Sequence, residues 1–211
     1  MERKRKMSIM VRLLLMVISP CLLLGIAMTL YSGWNMQRGM QKTTLDGMRA
    51  KDYAVLEMFK NIADGDFKQD AKGNVYRGEY KISDNNELAD YIKNKTDVDV
   101  TFFYGDTRVL TSLKDKKTGD RLIGTTASKE VTDKVLKNGK EYSDTGIVIN
   151  ERPYYGYYVP VKNSDDSIVG MVFVGRECKD LNDFIKSKSN TIFLLALIIQ
   201  AMASTVAWIT S

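Results

Sequence analysis

The sequence contains no histidine and only two cysteines. Without histidine, Ser-His-Asp and Cys-His catalysis and histidine-based metal sites are excluded. A phospho-accepting histidine is excluded for the same reason, so any kinase chemistry would have to lie outside this chain. The cysteines are far apart, Cys21 in an apolar run and Cys178 near the end of the polar middle of the chain. We therefore expect no disulfide within a folded domain.

The remaining polar residues form no pattern that predicts catalysis. Pairs of acids such as Asp64/Asp66 and Asp165/Asp166 lie in turn sequences, where aspartate normally hydrogen-bonds to the local backbone. The first pair is too short a motif for a calcium loop, and the glycines of the chain match no phosphate-binding loop. We therefore expect no enzyme activity, no metal site and no cofactor.

Positive charge is concentrated at the amino terminus. The net charge is +5, and residues 1–12 hold five basic side chains against one acidic side chain. Over residues 31–190 the two signs nearly balance. A nucleic-acid-binding protein would need a basic patch on its folded part, so no nucleic-acid partner is expected.

Two long apolar runs predict membrane spans. Residues 13–30 and 192–209 contain no charged side chain, and each run has 18 residues, about the minimum for a helix that crosses ~30 Å of hydrocarbon. Tyr31 and Trp34 follow the first run, and Trp208 lies near the end of the second, where interfacial aromatic residues are expected. Two buried core helices are the alternative, but both runs are apolar on every face instead of along one stripe.

A basic tail before an apolar span indicates a cytoplasmic amino terminus. This topology predicts a cytoplasmic tail at residues 1–8, a transmembrane helix at 9–31, an extracytoplasmic domain at 32–188 and a second transmembrane helix at 190–210. The predicted protein is therefore a multi-pass protein of the inner or plasma membrane. A cleaved signal peptide is the alternative, because Gly25-Ile26-Ala27 has the small-x-small form of a cleavage site.

The middle of the chain has the pattern of an α+β domain. β-branched and aromatic runs on both sides of Gly105-Asp106 predict a β-hairpin, and the runs at 154–162 and 167–176 predict a second pair of strands. Between these pairs, residues 128–136 predict a helix and residues 146–149 a short strand. Hairpins that flank a helix favour an antiparallel sheet with helices on one side.

A long amphipathic helix is predicted before this sheet. Apolar residues recur at spacings of three and four over residues 45–63, with Asp52 as the only polar member of the stripe. We expect this stripe to pack on the sheet. We also expect a homodimer contact along the membrane-proximal half of the helix, near Met36 and Met40.

The segment between this helix and the sheet is polar. Residues 67–82 contain a turn signal at Lys72-Gly73-Asn74. Asp84 and Glu87 have the spacing of a capping box with aspartate in the cap position. They predict a short helix directly before the first hairpin.

A candidate ligand-binding site lies on two of the predicted strands. Arg108, Thr111 and Ser112 share one strand, where period two places Arg108 and Ser112 on one face and Thr111 on the other unless a bulge intervenes. Tyr155 and Tyr157 belong to a tyrosine cluster on another strand. A guanidinium with nearby hydroxyls is suited to holding a carboxylate, so these five are the predicted ligand-binding residues. In the alternative, Arg108 pairs with a surface acid and the tyrosines cover the sheet.

Five segments of the middle stand in a specific order and spacing. They are VTFFYGDTRVLTSL (100–113), IGTTAS (123–128), VLKNG (135–139), YGYYVPV (155–161) and IVGMVFVG (168–175). Over about residues 40–180 the chain resembles the single-Cache domain of bacterial methyl-accepting chemotaxis receptors. The resemblance implies a PAS-like α+β fold between two transmembrane helices. In this fold a long N-terminal helix lies on a central antiparallel sheet, with a small-molecule pocket on the other face.

The same resemblance bears on the ligand. Arg108 lies where related citrate sensors place a ligand-binding arginine. Those sensors supply further basic groups on the strand equivalent to residues 146–149, and this chain has none there. The resemblance therefore implies a ligand smaller than a tricarboxylate, with a small organic anion or an amino acid favoured.

These observations lead us to expect the input module of a chemotaxis receptor. It would sense a small molecule outside the membrane and transmit binding through the second transmembrane helix. Its cytoplasmic signalling domain is expected outside these 211 residues, and its partners are expected to be the ligand, the membrane and a second copy of the chain. One alternative is the input domain of a membrane sensor histidine kinase or diguanylate cyclase. The other is a membrane-anchored binding protein without signalling output.

Overall fold

The computed structural model describes residues 9–178, 183, 187, 190–199, 201, 202 and 205. The chain divides into two compact units. One unit comprises Met1–Met40 and Asp180–Ser211, and the other comprises Gln41–Lys179. The sheet and the candidate site belong to the second unit.

Helix α1 spans Ile9–Lys60 and carries the first predicted membrane span in its amino-terminal part. Within the described residues, one helix, Met16–Lys60, contains a stretch long and apolar enough to cross a membrane. Large apolar side chains of this part, such as Leu23 and Met28, are exposed. Such a surface is typical of a helix that faces lipid.

The second predicted span, at 190–210, is only partly covered by the described residues. Its described part is the apolar helix Asn190–Ile199. Much of the remaining prediction lies outside the described residues.

The carboxy-terminal part of α1 is amphipathic, as its spacing predicts. Met48, Asp52, Val55 and Phe59 are buried along one stripe. The ring of Phe59 packs edge-on against Phe102 of the sheet, with ring centroids 4.9 Å apart. The predicted packing of this stripe on the sheet is confirmed.

A small antiparallel sheet occupies the polar segment after α1. Its strands, in spatial order, are β1 (Phe67–Gln69), β2 (Val75–Arg77) and β3 (Tyr80–Lys81). The predicted turn joins β1 to β2, and Asp70 Oδ1 accepts hydrogen bonds from the amides of Lys72 and Asn74, both at 2.8 Å. The sequence indicated this turn but not the strands beside it.

Helix α2 (Asn86–Thr96) begins one residue later than the capping box predicts. Its N-cap is Asn85, whose side chain accepts a hydrogen bond from the amide of Leu88 at 3.1 Å. The predicted cap, Asp84, instead has a left-handed backbone with φ of 60°. Aspartate and asparagine are about equally good caps. The sequence alone therefore did not determine which of these two adjacent residues caps the helix.

Five antiparallel strands form the main sheet in the spatial order β5-β4-β8-β7-β6. They are β4 (Asp99–Tyr104), β5 (Thr107–Thr111), β6 (Tyr142–Ile149), β7 (Arg152–Lys162) and β8 (Ile168–Glu177). Both predicted hairpins, β4–β5 and β7–β8, are confirmed. The predicted helix at 128–136 begins as α3 (Lys129–Val131) and continues as a π-helix (Thr132–Lys137).

Each face of the main sheet packs against a helix. Alternate strand residues point to opposite faces, so Phe102 meets α1 while its neighbour Phe103 points the other way. On that second face Val131 and Val135, from α3 and the π-helix, join a buried cluster with Phe103 and Tyr158. The predicted α+β class, a long N-terminal helix with an antiparallel sheet, is confirmed.

Candidate ligand-binding site

A cavity of about 520 Å³ lies on the face of the main sheet opposite α1. Strands β5, β6 and β7 contribute one side of it and residues 122–131 the other. Its polar lining residues are Arg108, Thr125, Thr126, Ser128, Glu130, Tyr142, Asp144, Asn150 and Tyr158, and its apolar ones are Leu122, Ala127, Val131, Ile147, Val148 and Ile149. The volume is that of a small-molecule site, roughly 300–1,000 Å³ in proteins.

Arg108 supplies a buried positive charge to this cavity. The residue is 7% exposed, and its guanidinium carbon lies 5.1 Å from the centre of the Phe103 ring. Nη1 donates a hydrogen bond to Thr125 Oγ1, but Nε is buried and has no partner within the described residues. Arg108 belongs to none of the ion pairs that the described residues form. Burial lowers the pKa of the guanidinium, and the neighbouring Tyr158 opposes this effect.

A bulge in β5 decides which residues share a face with Arg108. Phe103 pairs with Arg108 and Thr101 pairs with Thr111, with a register shift between the two pairs. Directly paired residues share a face, and Thr101 and Phe103 are two residues apart on β4. Arg108 and Thr111 therefore lie on the same face, although they are three residues apart.

Backbone hydrogen bonds fix the cavity wall to β5. The amide of Arg108 donates to the carbonyl of Thr125 at 2.9 Å, and the amide of Gly124 donates to the carbonyl of Arg108 at 2.8 Å. Gly124 has a φ of 76°, a conformation that glycine adopts without a steric penalty. This turn holds Thr125 beside the guanidinium.

Two tyrosines line the cavity from the neighbouring strands. The rings of Tyr142 and Tyr158 lie 6.1 Å apart, and Tyr158 packs on Phe173 at 4.7 Å. Burial raises the pKa of Tyr142 to about 12, with a further contribution from the charge of Asp144. Burial also raises the pKa of Tyr158, so both hydroxyls keep their protons at neutral pH, and that of Tyr158 can donate a hydrogen bond to a ligand.

Asp144 supplies a negative charge to the same cavity. Its Oδ1 accepts a hydrogen bond from the amide of Gly146 at 2.9 Å, and its Oδ2 accepts one from the hydroxyl of Tyr142 at 3.3 Å. The register of β6 against β7 shifts between Asp144 and Ile147. This irregularity gives the carboxylate its local backbone donor.

The predicted site residues divide between several environments. Arg108 lines the cavity. Thr111 is buried beside it in the sheet, where its hydroxyl lies 2.7 Å from that of Thr101. Ser112 Oγ donates to Asp99 Oδ1 at 2.7 Å and accepts from the amide of Val100 at 3.0 Å. Neither of these two hydroxyl residues lines the cavity.

Tyr155 and Tyr157 lie on the opposite face of the sheet, toward α1. The hydroxyl of Tyr155 accepts a hydrogen bond from Gln41 Nε2 at 3.4 Å, and the hydroxyl of Tyr157 donates to Glu141. The tyrosine that lines the cavity is Tyr158. The run of tyrosines shows that β7 carries aromatic side chains on both faces, but it does not show which face the cavity occupies.

Sequence reasoning missed most of the cavity lining. Thr125 and Ser128 belong to the IGTTAS segment (123–128). This segment contributed to the family resemblance, but no role in ligand binding was predicted for it. Tyr142 and Asp144 were missed because the predicted strand covered only residues 146–149. The observed strand β6 begins four residues earlier, at Tyr142. The alternation of Tyr142, Asp144 and the later apolar residues was the signal that could have located this strand.

A second polar cluster lies on the α1 face of the sheet. Glu141 accepts hydrogen bonds from Arg49 Nε at 2.7 Å and Nη2 at 2.8 Å, and from the hydroxyls of Tyr53 and Tyr157. The bonds from Arg49 are the main reason that the pKa of Glu141 falls to about 2. Asp52 lies on the same side of the sheet and is fully buried.

Comparison with protein families identifies the domain. Residues 80–188 match a family described as single cache domain 3. Because the match covers more than half of the chain, the protein belongs to the single cache domain 3 family. Cache domains are sensor domains of membrane proteins and typically bind ligands instead of catalysing reactions.

Solved structures with similarity to the chain include sensor domains of low sequence identity. The ligand-binding domain of the Campylobacter jejuni chemoreceptor Tlp3, solved with L-valine, is 12% identical with a TM-score of 0.46, and the match covers 81% of this chain and 65% of that one. The E. coli DcuS sensor domain is 17% identical with a TM-score of 0.35, and the match covers 48% of this chain and 71% of that one. Comparison with curated proteins gives no match.

Proposed function

We propose that this chain is the extracytoplasmic sensing module of a bacterial chemotaxis receptor and that its ligand is a small organic molecule with an anionic group. Arg108 is the observation that carries the proposal. It is a buried guanidinium that lines a cavity and has no carboxylate partner within the described residues.

The energetics of burial favour an anion in this cavity. Removing an ion from water costs several kcal/mol, and the cost is offset only where an opposite charge and hydrogen bonds are supplied. Around Arg108 the described residues supply an aromatic ring, a threonine hydroxyl and the carbonyl of Leu122 at 3.5 Å, but no carboxylate. A carboxylate in the cavity would supply the missing charge and accept from the Nε–H. The hydroxyl of Tyr158 would then complete the contacts, since the hydroxyl of Thr125 already donates to the carbonyl of Leu122 at 2.9 Å.

Signalling requires that the ligand binds one arrangement of the domain more tightly than another. The cavity lies between the sheet and residues 122–131, so a bound ligand can bring these two parts together. We propose that the resulting displacement reaches the membrane along β8 and the segment that follows it. The chemotaxis assignment is supported by the order of the motifs that resemble chemotaxis receptors.

The test of this proposal is ligand-dependent stability of the 211-residue chain, purified in detergent. Thermal unfolding is measured against a panel of short carboxylates and amino acids. A ligand at 100 times its dissociation constant adds about 2.7 kcal/mol of stability to the chain that binds it. The expected result is a rise in Tm with at least one anionic compound in the parent chain and none with that compound in Arg108→Gln.

Arg176→Gln is the matched control, because Arg176 is exposed and pairs with Asp97 at 2.8 Å. This variant should keep the full response to the ligand. An Arg108→Gln chain that responds as the parent does would contradict the proposal. So would a panel in which no anionic compound raises Tm.

A further inference from the structure

A second cavity, of about 530 Å³, lies at the carboxy-terminal end of α1. Three parts of the domain meet there: the end of α1 with the loop that follows it, strand β2, and the turn between β7 and β8. This cavity shares no lining residue with the candidate ligand-binding site, and its volume is within the range of small-molecule sites. Its charged lining residues are Lys60, Asp66, Arg77, Lys162 and Asp166.

Arg77 brings to this cavity a positive charge that neutral groups hold in place. The residue is half-buried, and its guanidinium carbon lies 4.6 Å from the centre of the Phe67 ring. Nε donates a hydrogen bond to the carbonyl of Ala63 at 3.3 Å. Within the described part of the chain Arg77 forms no ion pair. Its two terminal amino groups are therefore suited to a bidentate contact with an oxyanion.

Two lysines from different elements add positive charge beside Arg77. Lys60 Nζ lies 2.9 Å from Glu57 Oε1, and Lys162 Nζ lies 3.6 Å from Asp166 Oδ1. Both ion pairs are accessible to water, and pairs of this kind contribute little to stability. Each lysine can therefore turn from its carboxylate to an anion in the cavity at little cost.

Asp66 restricts the kind of anion that the cavity can hold. Its Oδ1 accepts a hydrogen bond from the amide of Ser164 and its Oδ2 accepts one from the hydroxyl of Ser164, both at 2.9 Å. A carboxylate oxygen has two lone pairs, so each oxygen keeps one acceptor position. This carboxylate repels an anion without a proton, such as sulfate. Phosphate still carries a proton at neutral pH and can donate it to Asp66 in a hydrogen bond.

We propose that this cavity is a second binding site, specific for inorganic phosphate. The phosphate oxygens contact the three cationic side chains, and the phosphate hydroxyl donates to Asp66. This site is separate from the cavity at Arg108, so the proposal goes beyond the sensing function and does not depend on it.

The parts of the domain that form the site are already connected to each other. The side chain of Asn163 accepts a hydrogen bond from the amide of Phe67 at 2.9 Å and donates one to the carbonyl of Phe67 at 3.1 Å. Together with the two bonds between Asp66 and Ser164, this contact fixes the start of β1 to the β7–β8 turn. The site is therefore largely formed before phosphate arrives, which reduces the entropy lost on binding.

The test compares phosphate with sulfate at pH 8 and constant ionic strength. At this pH phosphate is mainly a dianion that retains one proton, so the two anions match in charge and differ in that proton. Dissociation constants are measured by calorimetry on the full chain in a detergent and a buffer that contain no phosphate. The expected result is that phosphate binds the parent chain at least tenfold more tightly than sulfate.

Four variants locate the site. Arg77→Gln should weaken phosphate binding at least tenfold. Lys162→Gln changes an exposed side chain that the fold does not need, and it should weaken binding at least threefold. Asp66→Asn keeps an acceptor for the Ser164 amide but removes the charge, so the preference for phosphate over sulfate should fall to threefold or less. Arg108→Gln, the control at the other cavity, should leave phosphate binding within threefold of the parent.

Several results would overturn the proposal and leave the proposed sensing function standing. One is equal affinity of the parent chain for phosphate and sulfate, and another is no phosphate binding at all. Loss of phosphate binding in Arg108→Gln but not in Arg77→Gln would place the anion in the other cavity. If Arg77→Gln shows no cooperative thermal unfolding, Lys162→Gln decides, and unchanged phosphate binding in that variant would contradict the site.

Discussion

Asp52 is a carboxyl group in an environment that does not favour its charge. The residue has no exposed surface, and neither carboxylate oxygen has a hydrogen-bond partner of normal geometry within the described residues. Burial raises the pKa of Asp52 well above its usual range, the charge of Glu141 adds to the rise, and the backbone of Val174 opposes it. We conclude that the folded domain holds this group as a neutral acid over a wide range of pH.

The first prediction is that Asp52 makes the chain less stable as pH rises. Above a pH of about 4 the unfolded chain releases the Asp52 proton while the folded chain retains it. The folded state then binds one more proton, so stability falls with rising pH until the raised pKa is passed, by at most about 1.4 kcal/mol per pH unit. Asp52→Asn removes this loss, and its Tm should exceed that of the parent by a margin that grows with pH.

Thermal unfolding from pH 4 to pH 8 measures this margin. Asp46→Asn is the control, because Asp46 lies on the exposed side of the same helix. Parallel Tm curves for the parent and Asp52→Asn across this range would show that Asp52 is not held neutral.

At the scale of single residues, the sequence located Arg108 but not its surroundings. Arginine between β-branched residues on a strand is conspicuous, and burial without a counter-ion follows from the packing around it. The tyrosines of β7 alternate between faces, so Tyr158 and Tyr157 could not be distinguished before the position of α1 was known. Asp144 was given no role from the sequence, because the length of β6 was not evident.

At the scale of secondary-structure elements, the side chain of Glu141 links α1 to the beginning of β6. Arg49 and Tyr53 of α1 and Tyr157 of β7 all donate hydrogen bonds to this carboxylate. The next residue, Tyr142, lines the cavity. Glu141 therefore lies where a displacement of β6 caused by a ligand would reach α1.

The second prediction concerns the stability that this contact provides. Glu141→Gln removes the charge that three donors share, and we expect a loss of about 1–2 kcal/mol, between the values for exposed ion pairs and for charged hydrogen bonds. Because the pKa of Glu141 is lowered to about 2, its contribution is present above pH ~4.5 and is lost as pH falls toward 2. Urea unfolding at pH 7 and pH 3 measures both effects.

Glu57→Gln is the matched control on α1. Glu57 pairs with Lys60 at 2.9 Å in an exposed i,i+3 contact, and such pairs contribute about 0.2–0.5 kcal/mol. Equal losses for Glu57→Gln and Glu141→Gln would show that Glu141 is only a surface ion pair.

At the scale of elements, prediction succeeded where long periodic patterns exist. The apolar stripe of α1 and the two hairpins of the main sheet were evident from spacing and turn residues. Strands β1 to β3 have only two or three residues each, which is too short for an alternating pattern. The π-helical continuation of α3 was not predictable either, because no spacing rule in the sequence distinguishes it from an α-helix.

At the scale of the whole molecule, the proposed sensing function constrains the membrane topology of the chain. A sensor of external ligands needs its cavity outside the cytoplasm and its output inside. The basic residues 3–6 stand before the apolar run that begins at residue 13, and positive charge of this kind is retained on the cytoplasmic side. The resulting proposal is that both termini are cytoplasmic and that residues 32–188 are exported.

The last prediction follows from this topology. Alkaline phosphatase fused after Gly119, in the exposed turn between β5 and α3, should be active, because the enzyme folds only outside the cytoplasm. A green fluorescent protein fused after Ser211 should fluoresce, because a second span returns the chain to the cytoplasm. An epitope tag before Met1 should stay on the mature chain, whereas cleavage after the Gly25-Ile26-Ala27 segment would remove it. An inactive phosphatase at Gly119 would place the cavity in the cytoplasm, where it could not report on molecules outside the cell.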